Sequence, residues 1–193
     1  MDDYRMENVR PTVSICCITY NHAPYIRSAL DGFLMQKTDF TYEILIHDDA
    51  STDGTADIIR EYTARYPDII KPILREENQY SKGISNISIF NFPRARGEFI
   101  AMCEGDDYWT DGKKLQMQVD YMESHPDCAL CFHSAEVEVL ERAITERAMR
   151  PYRGDRTVSP EAVSYTHLDV YKRQSLHFLF RCYTYALHIY GVG

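Results

Sequence analysis

TVSICCITYNHAPYIRSALDGFLMQ, residues 12–36, sets the frame of the fold. Thr12–Tyr20 is a run of β-branched and apolar residues without in/out alternation, the pattern of a strand buried on both faces. Beyond a short polar link the spacing changes, and Ile26, Leu30, Phe33 and Leu34 recur at helical intervals within 25–36. A buried strand leading into an amphipathic helix is the first half of a β-α-β unit, because parallel strands need a crossover long enough to hold a helix.

The unit repeats downstream. YEILIH (42–47) reads as a second strand, and DDASTDGT (48–55) offers capping groups before Ile58, Ile59 and Tyr62 on one face of a helix that stops near Pro67. Ile69–Leu74 is a third strand. A polar loop through Glu76, Glu77, Asn78 and Gly83 then leads to a helix over about 84–92, closed by Pro93 and Gly97. EFIAMC (98–103) is a fourth strand, Gly112–Ser124 a helix with Leu115, Val119 and Met122 on one face, and Ala129–Val139 a fifth strand. The order β-α-β-α-β-α-β-α-β predicts an α/β fold: a mostly parallel central sheet with helices on both faces, Rossmann-like in its nucleotide-binding half. Ligands of such sheets gather at the carboxyl ends of the strands.

Composition narrows the classes. The chain has 193 residues, 45% hydrophobic and 26% charged, which excludes collagen-like, low-complexity and wholly disordered proteins. Lys+Arg 21 against Asp+Glu 29 gives a net charge of -8, a field that repels polyanions, so no nucleic-acid partner is expected. The opening residues lack a basic-then-apolar leader, and no run reaches the roughly 20 apolar residues of a membrane helix. The six cysteines lie mostly in apolar stretches, which suits free thiols in a reducing compartment. The expected location is therefore cytoplasmic, with peripheral placement at the inner face of the membrane as the variant. Cys128 and Cys131 form a CxxC with no second ligand pair at zinc spacing.

The residues just past the strands carry the chemistry: Thr19, Tyr20, Asn21 and His22; Asp48 and Asp49; and Glu104, Asp106 and Asp107. Three carboxylates at one strand end repel one another unless a cation neutralises them or water solvates them. Oxygen donors favour Mg²⁺ or Mn²⁺, ions that keep positions open for phosphates. A solvated acidic turn is the alternative these residues leave open. Asp49, Ser51, Asp53 and Gly54 imitate a calcium loop, but Arg60 occupies its twelfth position, where a bidentate Glu is required. Helix capping is the reading kept for Ser51, Thr52 and Asp53. Arg75 and Lys82 are candidate phosphate contacts. His22, His47, His125 and His133, with Tyr108, Trp109 and Tyr121, rank below the carboxylates.

VSICCITYNHAPYIRSALDGFLMQ, EILIHDDASTDGTADII, ARGEFIAMCEGDDYW and KLQMQVDYM occur in order over about 11–132. Together they resemble the successive signatures of family 2 glycosyltransferases with the GT-A fold. The resemblance implies an inverting enzyme that moves a sugar from a nucleoside-diphosphate sugar, a UDP-sugar foremost, to a hydroxyl of a glycan or lipid-linked acceptor in surface-polysaccharide or cell-envelope synthesis. It places Thr19, Tyr20 and Asn21 along the nucleoside, Asp48 and Asp49 beside the base with Asp49 accepting from it, and Glu104 at the ribose. Asp106 then holds Mn²⁺ or Mg²⁺, with Asp107 as support or second ligand. Two positions depart from the family pattern: Glu104 stands where Asp is usual, and Ala50 where Gly is usual.

From Ala162 the character of the chain changes. Ser164–Arg173 back-translates to TCT TAT ACA CAT CTA GAT GTG TAT AAG AGA, which is essentially its own reverse complement and looks like two transposase-adapter ends joined head to head. The expected division is an N-terminal extension (1–11), a donor-binding domain (12–161) and a non-native tail (162–193), with the adapter-like stretch over 162–174. On that reading the family's general base, an Asp downstream of the acidic loop, is missing, the catalytic residue is unknown, and the chain is an inactive fragment. Two alternatives remain: a nucleotide-binding fragment without catalysis, and a sugar nucleotidyltransferase, which wants a Gly-rich basic loop that TYNHAPY does not supply.

Overall fold

A computed structural model describes residues 10–133, 135–136, 148–149 and 178–181. The elements run β1 (Val13–Thr19), α1 (Ile26–Leu34), β2 (Tyr42–Asp48), α2 (Thr55–Arg65), β3 (Ile70–Leu74), β4 (Phe99–Glu104), α3 (Lys114–Ser124), β5 (Leu130–Phe132), β6 (Ala135–Glu136), β7 (Ala148–Met149) and β8 (Phe178–Arg181). The main sheet has the order β3-β2-β1-β4-β8-β5. The pairs β1–β2, β1–β4 and β2–β3 are parallel, while β8 runs antiparallel to both β4 and β5. The mostly parallel sheet expected from the sequence is therefore present.

Alternation along the strands sends successive side chains to opposite faces. On one face Val13, Ile15 and Cys17 of β1, Ile44 and Ile46 of β2, and Phe99, Ala101 and Cys103 of β4 join a single core with all three α-helices. Helix α1 contributes Ile26, Ala29, Leu30 and Phe33, the i, i+3, i+4, i+7 stripe that marks a core-facing helix. Leu115, Val119 and Met122 do the same for α3. On the other face Cys16, Leu45 and Ile100 form a small cluster under Ile87, Phe92 and Ala95. The helix expected over 84–92 is a π-turn, Ile87–Asn91, running into a 3₁₀ turn, Phe92–Arg94. Asn91, fully buried, donates through Nδ2 to the Cys17 and Leu45 carbonyls, and this bond to the sheet competes with regular helix geometry. Pro72 lies on β3, an edge strand paired only with β2, where its missing N–H is tolerated.

The strand expected over 129–139 is shorter than the sequence suggests and divides. Leu130–Phe132 joins the main sheet through β8, whereas Ala135–Glu136 pairs with Ala148–Met149 in a separate ladder, so the chain has to turn near His133. The expected boundaries at 11/12 and 161/162 are, respectively, at the start of the described residues and outside them. No helix among the described residues is long and apolar enough to cross a membrane.

Candidate functional site

Strand pairing alone brings the polar residues together. In the parallel register Thr19 lies opposite Asp48, and Ile18 opposite Glu104, so the ends of β2, β1 and β4 form one row. Each ladder continues one residue past its strand: the Asp49 amide donates to the Thr19 carbonyl at 3.0 Å and the Gly105 amide to the Ile18 carbonyl at 2.9 Å. The loops after β1, β2 and β4 consequently share one edge.

The first two loops are stitched to each other. The Asn21 amide donates to Ser51 Oγ, and Asn21 Oδ1 accepts from the Thr52 amide. The His22 amide donates to Thr55 Oγ1, and the Ala23 amide to Asp53 Oδ2. Asp53 Oδ1 also accepts from the amide and hydroxyl of Thr55, the first residue of α2, but the N-cap position itself is Gly54, so none of Ser51, Thr52 and Asp53 is the N-cap expected from the sequence. Asn21 and Ala50 adopt positive φ, 55° and 66°. The left-handed conformation at Ala50 gives a physical reason for the glycine usual there in the family pattern.

The paired aspartates are committed inward. Asp48 and Asp49 are 1% and 2% exposed. Asp48 accepts from the amide and hydroxyl of Ser51. Burial pushes its carboxyl up from the ordinary value, against the pull of those donors. Asp49 accepts from the amides of Gln79 and Tyr80 at 2.8 and 3.0 Å and pins the loop after β3. Burial raises its pKa too, but the amide donors outweigh that and leave it below the ordinary value. Tyr20, by contrast, is exposed.

The acidic loop after β4 is built differently. A Cβ at Gly105 would lie 2.5 Å from Thr19 Oγ1 and 3.1 Å from His22 Nδ1, so glycine lets this loop settle directly on the end of β1. Downstream, Trp109 is buried edge-on against Phe33 with ring centroids 4.8 Å apart. Gln36 fixes the next residues, donating to the carbonyls of Gly32 and Asp111 and accepting from the Leu115 amide. Between these anchors Asp106 is exposed, Asp107 and Glu104 half-buried. The Asp106 carboxylate faces His22 Nε2 at 3.8 Å. His22 is the site residue that sequence ranking undervalued; its signal was topological, because a strand order with β1 beside β4 places the loops after them side by side.

The remaining candidates fall elsewhere. Lys82 pairs with Glu77 at 2.6 Å, and Arg75 lies over the Phe90 ring at 4.1 Å. His47 is fully buried, and burial lowers its pKa to about 4. Tyr121 stacks on His125. Among the described residues, Cys16, Cys17, Cys103, Cys128 and Cys131 form no disulfide.

Donor chemistry at the acidic loop suits a hard divalent cation, with carboxylate oxygens presented from one short turn. Among the described residues no group of three or more His, Cys, Asp or Glu side chains closes on one point, so a cation held there would need further ligands from a bound molecule or water.

Comparison with known proteins agrees with this geometry. The model of the family described as Glycosyl transferase family 2 matches residues 14–185. The chain belongs to glycosyl transferase family 2. The uncharacterized protein Rv1520 of Mycobacterium tuberculosis is 44% identical over 167 residues, 84% of this chain and 47% of that protein. The putative teichuronic acid biosynthesis glycosyltransferase TuaG of Bacillus subtilis is 33% identical over 127 residues, 66% of this chain and 48% of TuaG. The chain thus spans about half the length of the curated relatives it matches. Among solved structures, the mannosyltransferase PcManGT from Pyrobaculum calidifontis in complex with GDP-Man and Mn²⁺ superposes with a TM-score of 0.52 at 27% identity, over 64% of this chain and 35% of that one. The parallel sheet is the GT-A arrangement of such glycosyltransferases.

Proposed function

We propose that the whole protein transfers a sugar from a nucleoside-diphosphate sugar, UDP-linked in the first instance, to an acceptor hydroxyl of a cell-envelope glycan. The observation that carries the reading is the exposed Asp106 carboxylate on a loop whose neighbours are locked, in a row with Thr19 and Asp48. The name of TuaG, a teichuronic acid biosynthesis enzyme, supports the acceptor class. The Mn²⁺ and GDP-Man held by PcManGT support a metal-dependent nucleotide-sugar site.

On this reading Tyr20 and Thr19 line the nucleoside, and Asn21 and Asp48 shape its wall through the stitched loops. Asp49 positions the loop at Gln79 and Tyr80 against the base and keeps lone pairs to accept from it. Glu104 faces the ribose, and Asp106 holds Mn²⁺ or Mg²⁺ with Asp107 beside it. A divalent cation there offsets the negative charge that grows on the leaving diphosphate. The acceptor's general base, expected downstream of the acidic loop, lies outside the described residues.

The test does not require turnover. Thermal unfolding of the chain is followed with UDP or GDP in the presence of Mn²⁺, Mg²⁺ or EDTA. A ligand at a hundred times its Kd stabilises by about 2.7 kcal/mol, a rise of roughly 5–10 °C for a domain of this size. Stabilisation by one nucleotide that needs the metal and disappears in Asp106→Ala is expected. No stabilisation by either nucleotide in any metal, or full stabilisation of Asp106→Ala, contradicts the reading.

A further inference from the structure

We infer that His22 supplies the cation site with a second protein ligand, its Nε2, alongside Asp106. The inference rests on the donor-site reading above and adds a residue to it.

The separation of 3.8 Å between His22 Nε2 and Asp106 Oδ2 is too long for a hydrogen bond. Two donor atoms each about 2.1 Å from one octahedral ion lie about 3 Å apart in neighbouring positions and about 4.2 Å apart in opposite ones. The observed spacing falls between these limits. Only one partner has to adjust, and Asp106 has the more room to do so: its side chain is 42% exposed and that of His22 22%.

The backbone that carries the imidazole is fixed at both ends, and the ring has one aromatic neighbour. The His22 amide donates to Thr55 Oγ1 at 2.9 Å, and its carbonyl accepts from the amides of Tyr25 and Ile26, both at 2.9 Å, at the start of α1. The ring meets that of Tyr25 edge-on, with centroids 6.4 Å apart. The loop after β1 therefore aims Nε2 across the edge of the sheet at the acidic loop.

The far side of the ring faces Thr19. His22 Nδ1 and Thr19 Oγ1 are both buried without a hydrogen-bond partner among the described residues. Thr19 is only 3% exposed, and both atoms close over the same point above Gly105. An imidazole that ligates through Nε2 carries its proton on Nδ1 and normally donates it to a neighbouring acceptor. The two atoms are not hydrogen-bonded in the structure; on the proposed reading, ligation through Nε2 is accompanied by a small adjustment that lets Nδ1–H donate to the Thr19 hydroxyl, which would satisfy both buried atoms. Any side chain at position 105 would occupy that point. A nitrogen ligand also has a consequence for metal choice: carboxylates alone suit Mg²⁺, whereas imidazole shifts preference toward Mn²⁺ and later transition metals.

Pulsed EPR of Mn²⁺ bound to the full chain with UDP or GDP tests this directly, since a coordinated imidazole modulates the Mn²⁺ echo at nitrogen frequencies. The wild-type complex is expected to show ¹⁴N modulation that converts to ¹⁵N on histidine labelling and vanishes in His22→Gln. Mn²⁺ affinity in the presence of nucleotide should fall about tenfold or more in His22→Gln, and Mg²⁺ affinity much less. Thr19→Val should weaken Mn²⁺ in the same direction and Thr19→Ser restore it. Mn²⁺ and nucleotide bound to wild type without histidine modulation overturns the role of His22 and leaves the donor site standing. Failure of wild type to bind Mn²⁺ with either nucleotide overturns both. A wild-type spectrum without histidine modulation overturns the role of His22 even if the variants do not fold, and selective loss of the signal in His22→Asn, a second variant, assigns it if His22→Gln does not fold.

Discussion

Two acidic strand ends flank β1, and their carboxylates are spent differently. At the end of β2, Asp48 and Asp49 are buried and accept from Ser51, Gln79 and Tyr80. At the end of β4, Asp106 is exposed and faces His22 across a gap. Sequence shows both as acidic runs after apolar strands. The difference lies in where donors come from: the loops after β2 and β3 supply backbone amides and a hydroxyl to the first pair, while the acidic loop is fixed through Gly105, Trp109 and Gln36 rather than through the Asp106 carboxylate. The first pair is committed to holding loops, and on the proposed reading the second end is where a charge-bearing ligand is received.

Asp49→Asn sharpens that contrast most. It replaces one accepting oxygen by an N–H₂ that confronts a buried amide, and should cost about 3 kcal/mol in urea unfolding. Asp106→Ala, measured without metal, should stay within about 0.5 kcal/mol of wild type. Equal losses in the two variants would erase the distinction.

A pH scan probes the wall from its other side. His47 lies beside Asp48 and Asp49 on β2, and burial holds its pKa near 4, against about 6.5 in an unfolded chain. The folded state therefore binds the proton later than the unfolded state. Its contribution is fully present above pH 6.5 and is lost as pH falls through 6.5 toward 4, by up to about 3 kcal/mol. His47→Phe should flatten unfolding free energy over that window, and an unchanged slope would assign the acid sensitivity to other groups.

Gly105→Ala attacks the acidic loop. A methyl group would press on the side chain of Thr19 and lift the loop, with a loss of about 2 kcal/mol and weaker Mn²⁺ binding. Ala50→Gly should have a smaller effect than Gly105→Ala, with opposite sign. Relief of the left-handed strain at φ 66° is expected to stabilise by about 1 kcal/mol without altering metal affinity.

Much of this architecture was legible from the chain alone, for reasons specific to each segment. Val13–Thr19 and Phe99–Glu104 are continuous apolar runs bounded by polar turns, and the Ile26–Phe33 stripe has one period only, so strand and helix followed with ends within a few residues. The π-turn at 87–91 was not legible, because its shape depends on Asn91 reaching two strand carbonyls distant in sequence. The split after β5 was hidden for a similar reason: the partners of Leu130–Phe132 and Ala135–Glu136 lie in separate later segments. At the site, composition identified the carboxylates, but their division into walls and open ligand needed the hydrogen bonds. At the opposite end of the strands, Glu43 is buried in a network with Ser14 and Arg96 that no local pattern announced.

Crystals grown with Mn²⁺ and UDP or GDP, measured at a wavelength where manganese scatters anomalously, confront the account most directly. The account predicts a single manganese peak within bonding distance of the Asp106 carboxylate and next to the nucleotide's diphosphate, with Asp48 and Asp49 still bonded to their loops. A peak seated instead between Asp48 and Asp49, or a nucleotide bound with Asp106 turned to solvent and no metal beside it, would contradict it.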